Sequence, residues 1–311
     1  MEKSRWKDLL GLNFVPYERK YGDRTPQIQY NLGTPHIPRL SAMDIQTKFT
    51  LSSELTQDQL DFFDHFGFLH FINVATDEEV DDIVGEMDKM EQQFIAEDRD
   101  TVLGVPIQWG EDESGNRYVN RFAYASQYSD VIKDFVEDER FSGVGKLLSD
   151  SARLAQVEKD GIVINNFINT PTSAYTKLGW HTDSPRDIFY NLRKPGVMLN
   201  VGLYLDDCPL EKGGVRILPG THKQSVFMML FRNFPMFFTH TPDPKEIPLI
   251  VKRGDLTIHD GRAWHRTAQA TLTGTASQRR TMYMAYIDEP YQPRDENSAI
   301  PLFKRLQKFV G

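Results

Sequence analysis

Arg253-Gly254-Asp255-Leu256-Thr257-Ile258-His259-Asp260-Gly261-Arg262-Ala263-Trp264-His265 reads as a turn, a short strand, a second turn and a histidine at its exit. The same grammar recurs on both sides of it. Gly161 to Asn169, Gly196 to Leu205, Gly214 to Leu218, Leu249 to Val251, Leu256 to His259 and Thr281 to Ile287 are short runs bounded by Gly, Pro and Asp. Several short strands in succession predict a β-sandwich or barrel of the jelly-roll kind.

Upstream of Leu154 the pattern is helical. Thr56 and Gln59 make a capping-box pair, Leu60, Phe63 and Phe66 follow at helical spacing, and Gly67 supplies a stop. Phe68 to Val74 reads as a strand. Thr76 and Glu79 then cap a second helix with Val80, Ile83, Val84, Met87, Met90 and Phe94 along one stripe. Thr101 to Ala125 is mixed, and Val131 to Leu148 predicts a further amphipathic helix. The first half is thus read as helix-rich. The expectation is a mainly β protein with flanking helices: an arm over residues 1–50, lying on the body or on a partner subunit, and a single domain over 51–311.

Composition narrows the function classes. A chain of 311 residues can bury a sizeable core without disulfides, and its single cysteine, Cys208, permits none within the chain. No stretch has the apolar length of a membrane span, and Met1 to Tyr21 is broken throughout by charge, so a soluble, unexported, cytoplasmic protein is expected. A net charge of −8 without long basic runs argues against nucleic-acid binding. The 20 Phe and 12 Tyr suit a large core and an aromatic-walled pocket equally.

In Gly179-Trp180-His181-Thr182-Asp183 an imidazole and a carboxylate stand two residues apart, and in extended backbone they project to one face. With eight His and 44 acidic residues, about one such match arises by chance, so the pair needs a third ligand. His265 is the candidate; His222, His240 and His259 are its rivals, each of which could equally be a hydrogen-bonded structural histidine. Two histidines and one carboxylate on one face of an iron leave three positions open, whereas a structural zinc closes its tetrahedron. Fourteen residues beyond His265 comes Arg279-Arg280-Thr281-Met282-Tyr283-Met284-Ala285-Tyr286. Arg279 and Thr281 would share one strand face and make a carboxylate anchor, with Arg280 the substitute if the register slips by one.

These blocks resemble the phytanoyl-CoA dioxygenase-like family of iron(II)- and 2-oxoglutarate-dependent oxygenases. The similarity runs from about Leu55 to Ile287. It is carried by the opening helix and strand to Gly67-Phe68, by Trp180-His181-Thr182-Asp183, by Leu205-Asp206-Asp207 with Gly213-Gly214 to Pro219-Gly220-Thr221-His222, by Gly254-Asp255 to His265, and by Arg279-x-Thr281. The chain departs from the family pattern in Lys212-Gly213 at the central turn and in a longer interval from His265 to Arg279. The resemblance implies a double-stranded β-helix (jelly-roll, cupin-like) core with iron(II), 2-oxoglutarate and O2, and with succinate and carbon dioxide as co-products. His181, Asp183 and His265 would hold the metal, and Arg279 and Thr281 would hold the far carboxylate of 2-oxoglutarate. Asn165, Asn166 and Asn169 lie where relatives place polar contacts to it, with Asn166 the preferred one. Retention of Asp183 favours hydroxylation over halogenation, and His222 fits the signature without being a ligand.

Trp180, Arg186, Tyr190 and Arg193 follow as candidates for the substrate side. The segment Val226 to Phe238 is too apolar for an ordinary exposed loop and reads equally as a lid, a core helix or a subunit contact, so a homo-oligomer could form through it or through the N-terminal arm. The expected substrate is a small molecule or acyl conjugate oxidised at an aliphatic C–H. Two other classes are compatible with the pattern: a metal-dependent isomerase or lyase, which has no use for Arg279, and a non-catalytic binding protein on the same barrel.

Overall fold

The Thr56 hydroxyl accepts from the Gln59 amide, and the Gln59 side chain accepts from the Thr56 amide, so α1 (Gln57–Phe66) begins where the capping box predicts. It ends at Gly67, whose φ of 80° suits glycine; a Cβ there would also lie 2.3 Å from the His222 ring. In this computed structural model the described residues are 43–171, 173, 178–183, 197–225, 227–228, 236, 239–288 and 290–301. The chain divides into two units, Met1–Pro38 and Arg39–Gly311, and everything described belongs to the second. Of the 1–50 segment read as an arm, only residues 43–50 are described; there Phe49 bridges Phe71 and packs on Phe62.

After α1 come β1 (Phe68–Phe71) and α2 (Asp77–Ala96), the latter opened by the Thr76–Glu79 capping box and burying Val80, Ile83, Met87, Met90 and Phe94. β2 (Thr101–Val102), β3 (Val105–Pro106), β4 (Gln108–Glu111) and β5 (Arg117–Phe122) follow, then α3 (Asp130–Val136). The helix expected from Val131 to Leu148 stops at Val136. Asp138 accepts from the Arg140 amide at 2.8 Å, and the Arg140 guanidinium bridges Asp138 and Glu79, so short 3-10 turns replace the continuing helix.

The remaining strands are β6 (Arg153–Leu154), β7 (Val163–Asn169), β8 (Leu178–His181), β9 (Met198–Tyr204), β10 (Gly214–Ile217), β11 (Ile247–Pro248), β12 (Leu256–Asp260), β13 (His265–Ala268) and β14 (Gly274–Ile287). The larger sheet runs β1-β12-β9-β14-β7-β5-β4 with β6 on β14, and the smaller one β11-β10-β13-β8. Most of the expected strands are present, but the one expected over Leu249–Val251 is not: β11 precedes it and Val251 makes only an isolated bridge to Cys208. The strand expected over Phe68–Val74 stops at Phe71, and β14 starts at Gly274 rather than Thr281. As the helix-rich reading of the first half expects, α1, α2 and α3 all lie before Leu154; β1, β4 and β5 from the same half join the larger sheet.

Alternation across this sheet separates core from site. One face carries the rows Leu69–Ile258–Val201–Met284 and Phe71–Leu256–Leu203–Met282–Ile164–Phe122. All of these are buried in the same apolar cluster as the α2 stripe, each contributing roughly 1.5–3 kcal/mol. The intervening positions are His259–Asn200–Ala285, His70–Thr257–Gly202–Tyr283 and Tyr204–Thr281–Asn165. That polar face is the one turned to the smaller sheet: the His259 and His265 ring centroids are 4.6 Å apart, and Asn200 donates to Asp183. The result is a jelly roll whose interior is polar on one wall and whose apolar core lies behind it.

Candidate metal centre

His181 ends β8, His265 opens β13, and antiparallel pairing sets them opposite each other with ring centroids 4.1 Å apart. Asp183 lies two residues past His181, its amide donating to the Gly261 carbonyl at 2.7 Å in the turn between β12 and β13. A ligand atom from each of the three lies within 4.8 Å of the others, and His265 Nε2 is 3.7 Å from Asp183 Oδ2. The imidazoles are oriented alike: His181 Nδ1 lies 2.9 Å from the Gly179 carbonyl and His265 Nδ1 3.0 Å from the Ala263 carbonyl. Donation to those carbonyls makes Nε2 the lone-pair nitrogen on each ring, as in metal-binding histidines. Asn200 Nδ2 donates to Asp183 Oδ2 at 3.2 Å and orients the carboxylate. Two imidazoles and one carboxylate gathered from one side fit a metal that keeps positions open for small ligands.

Deeper along the same wall lies Arg279, 8% exposed and stacked on Phe167 with its guanidinium carbon 4.7 Å from the ring centroid. Burial lowers its pKa; the groups that partly offset this are Cys208, Tyr283 and Tyr204, and no carboxylate partner is found among the described residues. Arg280 points the other way and is engaged by Asp206 through Nε at 2.9 Å and Nη2 at 2.6 Å. Tyr283 stands between the two halves of the site, within electrostatic reach of both Arg279 and Asp183, and burial raises its phenol to about 12. It is therefore a neutral hydroxyl at ordinary pH. Gly202 makes room for it, since a Cβ there would lie 2.9 Å from the Tyr283 ring.

The phytanoyl-CoA dioxygenase (PhyH) family model matches residues 63–280, a span that contains the triad and Arg279. The chain belongs to that family. Solved structures with the same fold include the carbocyclase SnoK from nogalamycin biosynthesis, 19% identical, covering 79% of this chain and 89% of its own, at a TM-score of 0.56. HygX from Streptomyces hygroscopicus, with nickel and 2-oxoglutarate bound, is 18% identical over 75% of this chain and 87% of its own, at 0.55. EctD from S. alaskensis, with 2-oxoglutarate and 5-hydroxyectoine, is 15% identical over 76% and 77%, also at 0.55. A comparison with curated protein sequences gives no match. Among the described residues, no helix is long and apolar enough to cross a membrane.

The structure brings His181, Asp183 and His265 together and sets Arg279 and Thr281 on the polar face. Asn166 does not join them. It pairs with Arg280 across β7 and β14 and accepts from Gln278, so it faces away from Thr281, while Asn165 and Phe167 flank the Arg279 side. Trp180 is likewise turned away from the site: it is 2% exposed, donates to the Thr241 carbonyl and packs with Leu218 and Trp264 under Arg266. Arg186, Tyr190 and Arg193, and most of 226–238, lie outside the described residues. Among the rivals for the third ligand, His222 is structural, with Nε2 3.0 Å from the Asp64 carbonyl, and His240 is exposed beside Gly179. Sequence reading missed Asn200, Tyr204 and Tyr283. Their signal is the alternation of polar with apolar residues in Met198–Tyr204 and Arg279–Tyr286.

Proposed function

We propose that this protein is an iron(II)- and 2-oxoglutarate-dependent oxygenase that oxidises an aliphatic C–H of a small molecule or acyl conjugate, releasing succinate and carbon dioxide. The observation that carries the reading is Arg279: a buried guanidinium with no carboxylate partner among the described residues, on the same wall as a two-histidine, one-carboxylate cluster. A dicarboxylate explains both ends at once. Arg279 and Thr281 would hold its far carboxylate, and His181, Asp183 and His265 would hold the metal that takes its keto-acid end.

Iron, when bound, supplies O2 activation coupled to decarboxylation of the keto acid. The chain's own residues supply placement. The Gly179 and Ala263 carbonyls hold the two imidazoles, Asn200 holds the Asp183 carboxylate, and the Arg279 cation is desolvated so that its pairing with an anion is strong. Hydroxylation is the reaction we favour over halogenation, because Asp183 would supply a carboxylate to the metal where halogenating relatives carry a small residue. The carbocyclase likeness supports a second outcome, ring closure after the same C–H oxidation. The direct test is aerobic turnover with iron(II), following 2-oxoglutarate loss and succinate formation. Equimolar conversion that stops in Arg279→Ala supports the reading. Metal binding without 2-oxoglutarate consumption or affinity would replace it with an isomerase or lyase.

A further inference from the structure

His259 stands out among the buried histidines. His70 pairs with Asp255 at 2.9 Å, His222 with the Asp64 carbonyl and His265 with the Ala263 carbonyl. His259 is 2% exposed, and neither ring nitrogen has a hydrogen-bond partner among the described residues. A neutral imidazole carries one donor and one acceptor, and burying both unmet is costly enough that native chains rarely do it without a ligand to meet them. Packing does not explain the choice, because Leu256 and Ile258 on the opposite face of the same strand show how β12 fills space with apolar side chains.

The direction of the ring is set by register. His259 pairs with Asn200 across β12 and β9, so both side chains rise from one face; Asn200 reaches Asp183, and the His259 ring centroid lies 4.6 Å from that of His265. His259 is not one of the three grouped ligands. It flanks the cluster on the wall along which Arg279 and Thr281 lie.

We propose that His259 is a positioning residue for the co-substrate, donating a hydrogen bond to an oxygen of the metal-chelating keto-acid end of 2-oxoglutarate. This rests on the reading above. Arg279 would then hold one end of the dicarboxylate and His259 the other.

The test is anaerobic calorimetry of 2-oxoglutarate into cobalt(II)- or iron(II)-loaded wild type, His259→Phe and His259→Gln, with metal affinity and metal-free melting measured alongside. His259→Phe should bind metal as the wild type does and melt no lower without metal, yet lose roughly 5- to 15-fold in 2-oxoglutarate affinity, the worth of one buried hydrogen bond. Its visible charge-transfer band with iron(II) should also move. His259→Gln, which keeps a donor, should recover most of the affinity. Unchanged 2-oxoglutarate affinity and band position in His259→Phe would overturn the proposal, as would a lowered metal-free melting point, which would make His259 a packing residue. Failure of the metal-loaded wild type to bind 2-oxoglutarate at all would instead overturn the functional reading itself.

Discussion

Replacing Arg279 with Gln removes the only charge on the polar wall that is both buried and without a carboxylate partner among the described residues. Its worth to the ligand follows from its setting. Phe167 covers one side, Tyr204, Tyr283 and Cys208 surround it, and 8% exposure leaves little water to compete for the guanidinium. A desolvated, charge-assisted pair with a carboxylate is worth about 2–4 kcal/mol, so Arg279→Gln should weaken 2-oxoglutarate binding roughly 30- to 1,000-fold. Without ligand the sign changes. The wild type buries a cation with no anion beside it, so the metal-free variant should melt at the same temperature or higher. Arg280→Gln is the matched control: it breaks the bidentate pair with Asp206 and should cost about 1.5–3 kcal/mol of stability while leaving 2-oxoglutarate affinity near that of the wild type. Calorimetry and thermal melting read both effects. If affinity follows Arg280 instead, or if Arg279→Gln destabilises the metal-free protein by several kcal/mol, Arg279 is a structural cation and the reasoning fails.

Asn200→Ala releases the Asp183 carboxylate from its 3.2 Å hydrogen bond and should lower metal affinity about 10- to 100-fold, measured by competition with a chelator. Gly202→Ala places a Cβ 2.9 Å from the Tyr283 ring and 3.4 Å from Thr281 Cγ2; it should cost about 1–3 kcal/mol in melting and weaken 2-oxoglutarate more than metal. Burial alone would raise the Asp255 pKa, but hydrogen bonds from His70 and from the Lys252 and Asn73 amides outweigh it and hold the carboxyl below its usual range. A depressed folded pKa contributes stability above the unfolded value of about 3.9, and that stability is lost as pH falls through the folded one. Asp255→Asn should therefore cost about 3 kcal/mol at neutral pH, and the gap to wild type should narrow in acid melts below about pH 4.

The sequence discloses local signals well. The capping boxes at Thr56 and Thr76, the Gly67 stop and the turn-bounded strands each rest on a few neighbouring residues, and they appear in the fold with small shifts of boundary. The metal cluster was legible because His181 and Asp183 share an extended stretch and His265 leaves a turn. Register was not. Whether Arg279 or Arg280 faces the site depends on β14 pairing with β7 and β9, residues more than 70 positions away, and Asp206 settles the matter by engaging Arg280. The same one-residue alternation turns Asn166 away and Asn165 inward, and buries Trp180 behind the strand that carries His181. Helix continuity failed at Asp138 for a related reason, since Arg140 is claimed by Glu79 from a distant helix.

The most direct test of the central claim is an anaerobic titration of the metal-free protein with iron(II) and then 2-oxoglutarate, watched in the visible. A weak charge-transfer band should appear only when both are present, saturate at one equivalent of each, and be lost in His265→Ala. Iron binding with no such band, together with no 2-oxoglutarate affinity by calorimetry, would contradict it.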